Sequence, residues 1–403
     1  MQLDNNGFLQ LCYCTNIHPG DNWAAVNANV RKFAPALRAR LAPAGKFGLG
    51  LRLSARDARE LLEGGRLEEF RSFLDAEGLY VALINGFPYG PFHKTVVKAD
   101  VYAPDWREEA RLSYTLQLAE ILRRLLPEGL DGGISTAPLS YKPWLPAPKQ
   151  TDWEAMTRNV ARVAEELVRI RRQEGRFIHM DIEPEPDCLL ENSEEVIEFF
   201  ERWLLPVGGA YLATWLGVGL AEAERHLRDH IQICFDCCHF AVEYEDPSVA
   251  LERINGAGIK VGRVQLSSAL KVVLPDDPAE RAKVAGRLTP FAESTYLHQV
   301  VERRGDCLHH FPDLGNALSQ TSPSDASQWR IHFHVPLFTS GYDGFGSTQN
   351  YVRTVLEAAW TTRFTRHLEI ETYTWDVLPA ELKVDLLDSI GREYQWVLAQ
   401  LQR

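Results

Sequence analysis

The chain has 403 residues, 45% hydrophobic and 24% charged, with a formal net charge of −12. That is globular composition with material for a large core, and the length suits two or three domains or one α/β barrel. The acidic balance argues against a nucleic-acid or anionic-membrane partner, since both need a basic surface. "MQLDNNGFLQLCYC" lacks the basic and long apolar regions of a secretory signal, and no run approaches the ~18 apolar residues of a membrane span. Seven cysteines, most of them in apolar runs (Cys12, Cys14, Cys234, Cys237, Cys238), favour reduced thiols and a cytoplasmic protein over a disulfide framework.

In chain order, the strand candidates are "FLQLCYCTNI", "KFGLGLRLS", "LYVALINGF", "DGGISTAPL", "RFIHMDIEP", "QICFDCCHF", "VGRVQLSSAL" and "RHLEIETYTW". Amphipathic helical patterns lie between them. Ser54 precedes "ARDARELLEGG", Thr151 with Glu154 forms a capping-box pattern, and Ser193 opens "EEVIEFFERWLL". Strands alternating with helices in this number predict a closed (β/α)8 TIM barrel as one domain over 1–403. A doubly wound open sheet is the alternative, but no Gly-rich phosphate fingerprint follows an early strand. Residues 271–338 break the rhythm between the seventh and eighth units. "STYLHQVVER" and "WRIHFHVPLF" both read as strands, which predicts an inserted β-hairpin arm with a tip around Ser319–Gln328. The segment 379–403 reads as a final amphipathic helix packing across the barrel.

Alternation along a strand decides which side chains face the axis. Ile178, Met180 and Ile182 oppose His179, Asp181 and Glu183. Ile233 and Phe235 oppose Gln232, Cys234 and Asp236. Val264 and Leu266 oppose Arg263 and Gln265, and Leu368 and Ile370 oppose His367, Glu369 and Glu371. Several acids inside neighbouring strands repel and desolvate one another, and Arg263 alone is little to hold them. A divalent metal near the C-terminal strand ends, where Glu183, Asp236, Gln265 and Glu371 fall, answers that need. A polar interior held by hydrogen bonds and water is the alternative. A histidine among the ligands would tilt the choice to Mn²⁺, Zn²⁺ or Co²⁺.

Three motifs carry a family resemblance. "IEP" at 182–184, "FDCCH" at 235–239 and "LEIETY" at 368–373 resemble the metal and catalytic strands of the xylose isomerase-like sugar isomerase/epimerase barrels. "CTNIHPGDNW", "LINGFPYGPFH", "DCCHFAVEYEDP" and the 271–338 insertion are similar to the EboE-type metabolite traffic proteins. The resemblance implies Glu183, Asp236 and Glu371 as metal ligands, with Glu183 and Glu371 as the catalytic acid and base. It implies His239 at the substrate. Where the family has a metal-binding histidine this chain has Gln265, so the fourth ligand stays open between Gln265 and an arm histidine. Of these, His334 lies nearest the end returning to the barrel, and His332 shares its face. His298 lies on the expected partner strand, and His18 and Asn85 end early strands as further substrate contacts.

The expected function is metal-assisted proton transfer on a sugar-like α-hydroxycarbonyl, within the handling or export of a secondary metabolite. The alternative is binding and delivery of a metabolite precursor without turnover. Aromatics such as Tyr89, Phe92, Trp144, Tyr342, Phe345, Tyr373 and Trp375 could line the pocket in either case. The partner is a small molecule, and a homodimer is left open.

Overall fold

The computed structural model describes residues 1–4, 7–93, 96–320, 325–378 and 383–401. All eight candidate runs become barrel strands: β1 (Gln10–Cys14), β2 (Phe47–Arg52), β3 (Leu79–Asn85), β4 (Gly132–Thr136), β5 (Ile178–Ile182), β6 (Ile231–Asp236), β7 (Val261–Leu266) and, after the insertion, β14 (His367–Ile370). They pair in parallel and close in the order β1-β14-β7-β6-β5-β4-β3-β2. Ile178, Met180 and Ile182 of β5 are fully buried in the layer between strands and helices, as are Ile233 and Phe235 of β6. Each such side chain contributes about 1.5–3 kcal/mol, which fixes the face turned outward and so the polar face turned in.

Two helix starts differ from their expected caps. Ser54 does cap Ala55–Leu62, with Asp57 closing a capping box. The long helix Gln150–Glu174, however, starts at Lys149, whose amide donates to Asp152, so Thr151 lies inside the first turn. Asn192, not Ser193, caps Ser193–Phe199 by accepting from the Glu195 amide. In both cases a neighbouring residue has the side chain or backbone position that reaches an otherwise unpaired N–H.

The segment after β7 is more than a hairpin arm. β8 (Ala269–Val273), β9 (Val300–Arg304), β10 (Cys307–Phe311), β11 (Ala326–His334), β12 (Gly341–Tyr342) and β13 (Phe345–Ser347) form a six-stranded antiparallel sheet, ordered β10-β9-β11-β8-β13-β12. The expected pairing of the two end strands is present as β9 against β11. The sheet has its own apolar core around Leu270, Val272, Phe291, Trp329, Ile331 and Phe345, under the helix Pro278–Leu288. A two-stranded ribbon could not have buried these side chains, which is why further strands are recruited. Part of the expected arm tip, residues 321–324, lies outside the described residues, as do 379–382 and 402–403 of the expected last helix. That helix spans Leu386–Leu401 and packs on the first helix, Trp23–Leu41, and on Gln349–Thr362.

All seven cysteines are free thiols, and six of them are buried. Among the described residues no single helix is long and apolar enough to cross a membrane.

Candidate metal centre

The barrel interior holds two layers of acids. In the lower layer, Arg263 of β7 is fully buried. Its Nε lies 3.0 Å from Asp181 Oδ2 and its Nη1 lies 3.1 Å from Glu369 Oε2. Glycines make room for this triad. A Cβ on Gly50 would stand 1.6 Å from Glu369 Oε1, and one on Gly262 would stand 2.0 Å from Asp181 Oδ1. Asp181 is also met by His179, whose Nδ1 lies 2.5 Å from Asp181 Oδ1, so each acid of this layer has a cationic or hydrogen-bonded partner within the barrel's plug.

One strand repeat higher, the balance changes. Glu183, Asp236 and Glu371 are all buried, and among the described residues no lysine or arginine pairs with any of them. Glu371 Oε1 accepts from Asn16 Nδ2 (2.7 Å) and Asn85 Nδ2 (3.4 Å). Asp236 caps the short helix Cys237–Val242. Its Oδ1 accepts from the Cys238 and His239 amides and from Ser267 Oγ, while Oδ2 has no partner. Glu183 Oε2 is likewise unpartnered. Burial, then the charge of neighbouring carboxylates, pushes Glu183 and Glu371 well above the ordinary carboxyl range. Asp236 is held below that range. Burial opposes this, but the His239 and His334 imidazoles and the Ser267 hydroxyl outweigh it.

Three histidines converge here. His239 Nδ1 lies 2.8 Å from the Pro184 carbonyl, and His334 Nδ1 lies 3.0 Å from the Glu371 carbonyl. His332 Nδ1 lies 2.8 Å from Gln299 Oε1, and Gln299 Nε2 donates to the Pro186 carbonyl, which fixes that amide's orientation. A carbonyl oxygen can only accept, so each Nδ1 carries a proton, and in a neutral ring Nε2 is then the free donor atom. Yet His239 Nε2 and His332 Nε2 face each other at 3.1 Å. His334 Nε2 has no partner. Asp236, His239 and His334 each place one donor atom within 4.8 Å of the other two. Burial first, and then the neighbouring imidazoles, lowers His332 well below the usual range, and burial lowers His334 to about 4. Neutral imidazoles and orphaned donor atoms around one point are what a bound cation requires.

The arm histidine is thus brought to the acids, on β11, where a register shift between Ile331 and His334 re-aims the strand end. Gln265 is buried and pairs in register with Asp236 and Glu369; like Asp236 it lies outside the lining of the cavity, and both its amide atoms lack partners among the described residues. Three expected substrate contacts stand as follows. Asn85 lines the cavity. His18 does not: it stacks on Phe33, 4.4 Å between centroids, with its Nε2 3.1 Å from the Tyr13 hydroxyl. His298 is also displaced from the site. Its Nδ1 engages the His332 carbonyl and its Nε2 engages Glu293, so it braces β11 from behind. Both histidines sit next to turns rather than on an axis-facing strand position, which alternation alone could not reveal.

The remaining lining comes from Asn16, Glu185, Phe92, Tyr102, Tyr296 and Tyr373, with Lys98 at the lip. Asn16 lies in a turn after β1 and gave no signal in the sequence. Of the expected aromatics, Phe92 and Tyr373 face the cavity, whereas Phe345 is buried in the core of the inserted sheet.

No family model matches the chain, and no curated protein matches it. Solved structures do. One, described as a "Xylose isomerase-like TIM barrel Protein from Mycobacterium smegmatis in Complex with Magnesium", has a TM-score of 0.51 and 13% identity over 98% of this chain and 96% of its own. An IOLI protein with a bound zinc atom has a TM-score of 0.47 and 10% identity, covering 98% of both chains. The "probable 3-DHS dehydratase AsbF" from Bacillus anthracis has a TM-score of 0.46 and 13% identity over 96% and 98%. The chain shares with that Mycobacterium smegmatis protein the fold of a closed eight-stranded parallel barrel.

Proposed function

We propose that this protein is a divalent-metal-dependent isomerase or epimerase of a small, sugar-like α-hydroxycarbonyl compound. One observation carries the reading. Imidazole Nε2 atoms directed inward meet an unpartnered carboxylate oxygen in a buried interior, two of the nitrogens 3.1 Å apart. A proton or a cation must lie between two such nitrogens, and the orphaned Asp236 and His334 atoms beside them favour the cation. Asp236, His239 and His334 would hold the ion, with His332, Glu183 and Glu371 around it. This nitrogen-rich donor set suits Mn²⁺, Zn²⁺ or Co²⁺. His334 takes the nitrogen position for which Gln265 was the other candidate.

When bound, the metal supplies Lewis-acid polarisation of a substrate carbonyl oxygen. Glu183 and Glu371 do the proton work. They follow β5 and β14, which are separated by two strands in the ring, so they approach the cavity from different sides. Burial and then the neighbouring carboxylates raise both above the ordinary carboxyl range, which suits the pair to exchange a proton as acid and base. Asn16 and Asn85 hold Oε1 of Glu371 and so fix where its proton is taken or returned.

A second reading is binding and delivery of a metabolite precursor without turnover, in keeping with the EboE-type resemblance. The presence of Gln265 at the family's histidine position favours it. Incubation of the Mn²⁺-loaded protein with keto sugars in D2O separates the two. Deuterium appearing at the carbon next to the carbonyl, and absent with Glu371→Gln, supports the isomerase. A stoichiometric complex without deuterium incorporation overturns it in favour of the carrier.

A further inference from the structure

A second acidic cluster lies where the inserted sheet meets the barrel. Asp187 and Glu191 belong to the loop after β5, Glu243 follows the helix Cys237–Val242, and His310 is on β10, the edge strand of the insert. His310 Nδ1 lies 3.8 Å from Asp187 Oδ1, and its Nε2 lies 3.7 Å from Glu243 Oε2. Both separations are too long for hydrogen bonds. Asp187, Glu191 and His310 each place a donor atom within 4.8 Å of the other two.

The charges do not close. Lys142 is the one cation paired here among the described residues, and it is taken by Glu191 (2.6 Å) and Glu195 (2.7 Å). Asp187 Oδ2 and Glu243 Oε1 are buried without a hydrogen-bond partner, and the Glu243 side chain is 5% exposed. Burial and then Glu191 lift Asp187 to about 7, and burial lifts Glu243 well above the ordinary range. A buried, unpartnered carboxylate inside a net-negative group is unfavourable unless an ion or a proton settles it.

We propose that Asp187, Glu191 and His310 form a second divalent-cation site, distinct from the barrel centre, with Glu243 facing the far nitrogen of the His310 ring and orienting it, and that this site clips the edge of the inserted sheet to the barrel rim. Two carboxylates and one imidazole favour a hard to borderline ion, for which Mn²⁺ is the probe. With Glu243 the site bridges three segments far apart in sequence, so occupancy stabilises the docking of β10 against the loop after β5. That loop also carries Glu185, whose carboxylate accepts from Tyr102 in the cavity wall.

The test counts Mn²⁺ bound to the full chain by electron paramagnetic resonance, in the wild type and in an Asp236→Asn/His334→Ala background that removes the barrel centre. One Mn²⁺ should persist in that background. It should be lost, or bound at least tenfold more weakly, on adding Asp187→Asn with Glu243→Gln, or the surface change His310→Gln alone. Bound Mn²⁺ should also slow protease cleavage within the insert, and these variants should abolish that protection. No Mn²⁺ left in the centre-deleted background, or a count unaltered by all three substitutions, overturns the proposal. So does a rise in metal-free stability for Glu243→Gln with no Mn²⁺ bound to the parent, which would mean that a proton settles the cluster. None of these outcomes depends on the protein being an isomerase.

Discussion

The two layers inside the barrel are built from the same strands, two residues apart, yet they have opposite fates. Asp181 and Glu369 share the Arg263 guanidinium. Glu183 and Glu371, on the same faces of the same two strands, have no cation, and orphaned nitrogens are gathered beside them. An inward acid is therefore not informative by itself. What separates a structural acid from a chemical one is whether the fold supplies its counter-charge.

Breaking the upper layer should have the largest effect. Glu371→Gln should cut turnover about 10²–10⁴-fold, the scale of a lost general acid or base, with no loss in thermal stability. Full activity in that variant would move the chemistry elsewhere.

Breaking the lower layer should do the reverse. Arg263→Met leaves buried Glu369 without its cation and Asp181 with His179 alone, and should cost about 3–5 kcal/mol in urea unfolding. In the metal-free protein Glu183→Gln should cost less than Arg263→Met, because it removes a buried, repelled carboxyl instead of orphaning one. Equal losses in the two variants would erase the distinction between the layers.

The next test is indirect. Gln299→Leu removes the acceptor that fixes the His332 tautomer and should weaken metal binding about 10–100-fold, read by calorimetry, while Glu183 and Glu371 stay in place. Unchanged affinity would exclude His332 from the centre.

The smallest effect is in acid. His230, outside both layers, is lowered from 6.5 to about 4 by burial, although its bond to the Ile178 carbonyl opposes this. The unfolded chain then binds more protons than the folded one between those values, so stability falls as pH drops from about 6.5 toward 4. His230→Gln should flatten the slope of the urea midpoint across that window, and an identical slope would rule out His230 as a contributor.

The barrel itself was legible because its strands are short, nearly continuous apolar runs bounded by Gly, Pro and polar turns. The acids were legible because alternation places them inward. The inserted sheet was only half visible: β8 continues the apolar run of β7, and β12 and β13 are too brief to show a pattern, β13 pairing on β8 and β12 on β13. His334 was found by its position at the end of a returning strand. The sequence placed His239 at the substrate, and the structure puts it on the cavity wall beside His332 and His334; the Pro184 carbonyl that holds its Nδ1 comes from another strand's end and was not legible. Tautomers are decided by such long-range partners, and no local spacing encodes them.

β11 is not a member of the hydrogen-bonded ring, yet it delivers both His332 and His334 to the ring's mouth. Closure of the cylinder and completion of the donor set are therefore separable events. The cylinder can form first and stay blind until the insert docks, so the insert is a part that could be exchanged to change the metal preference without rebuilding a single strand of the barrel.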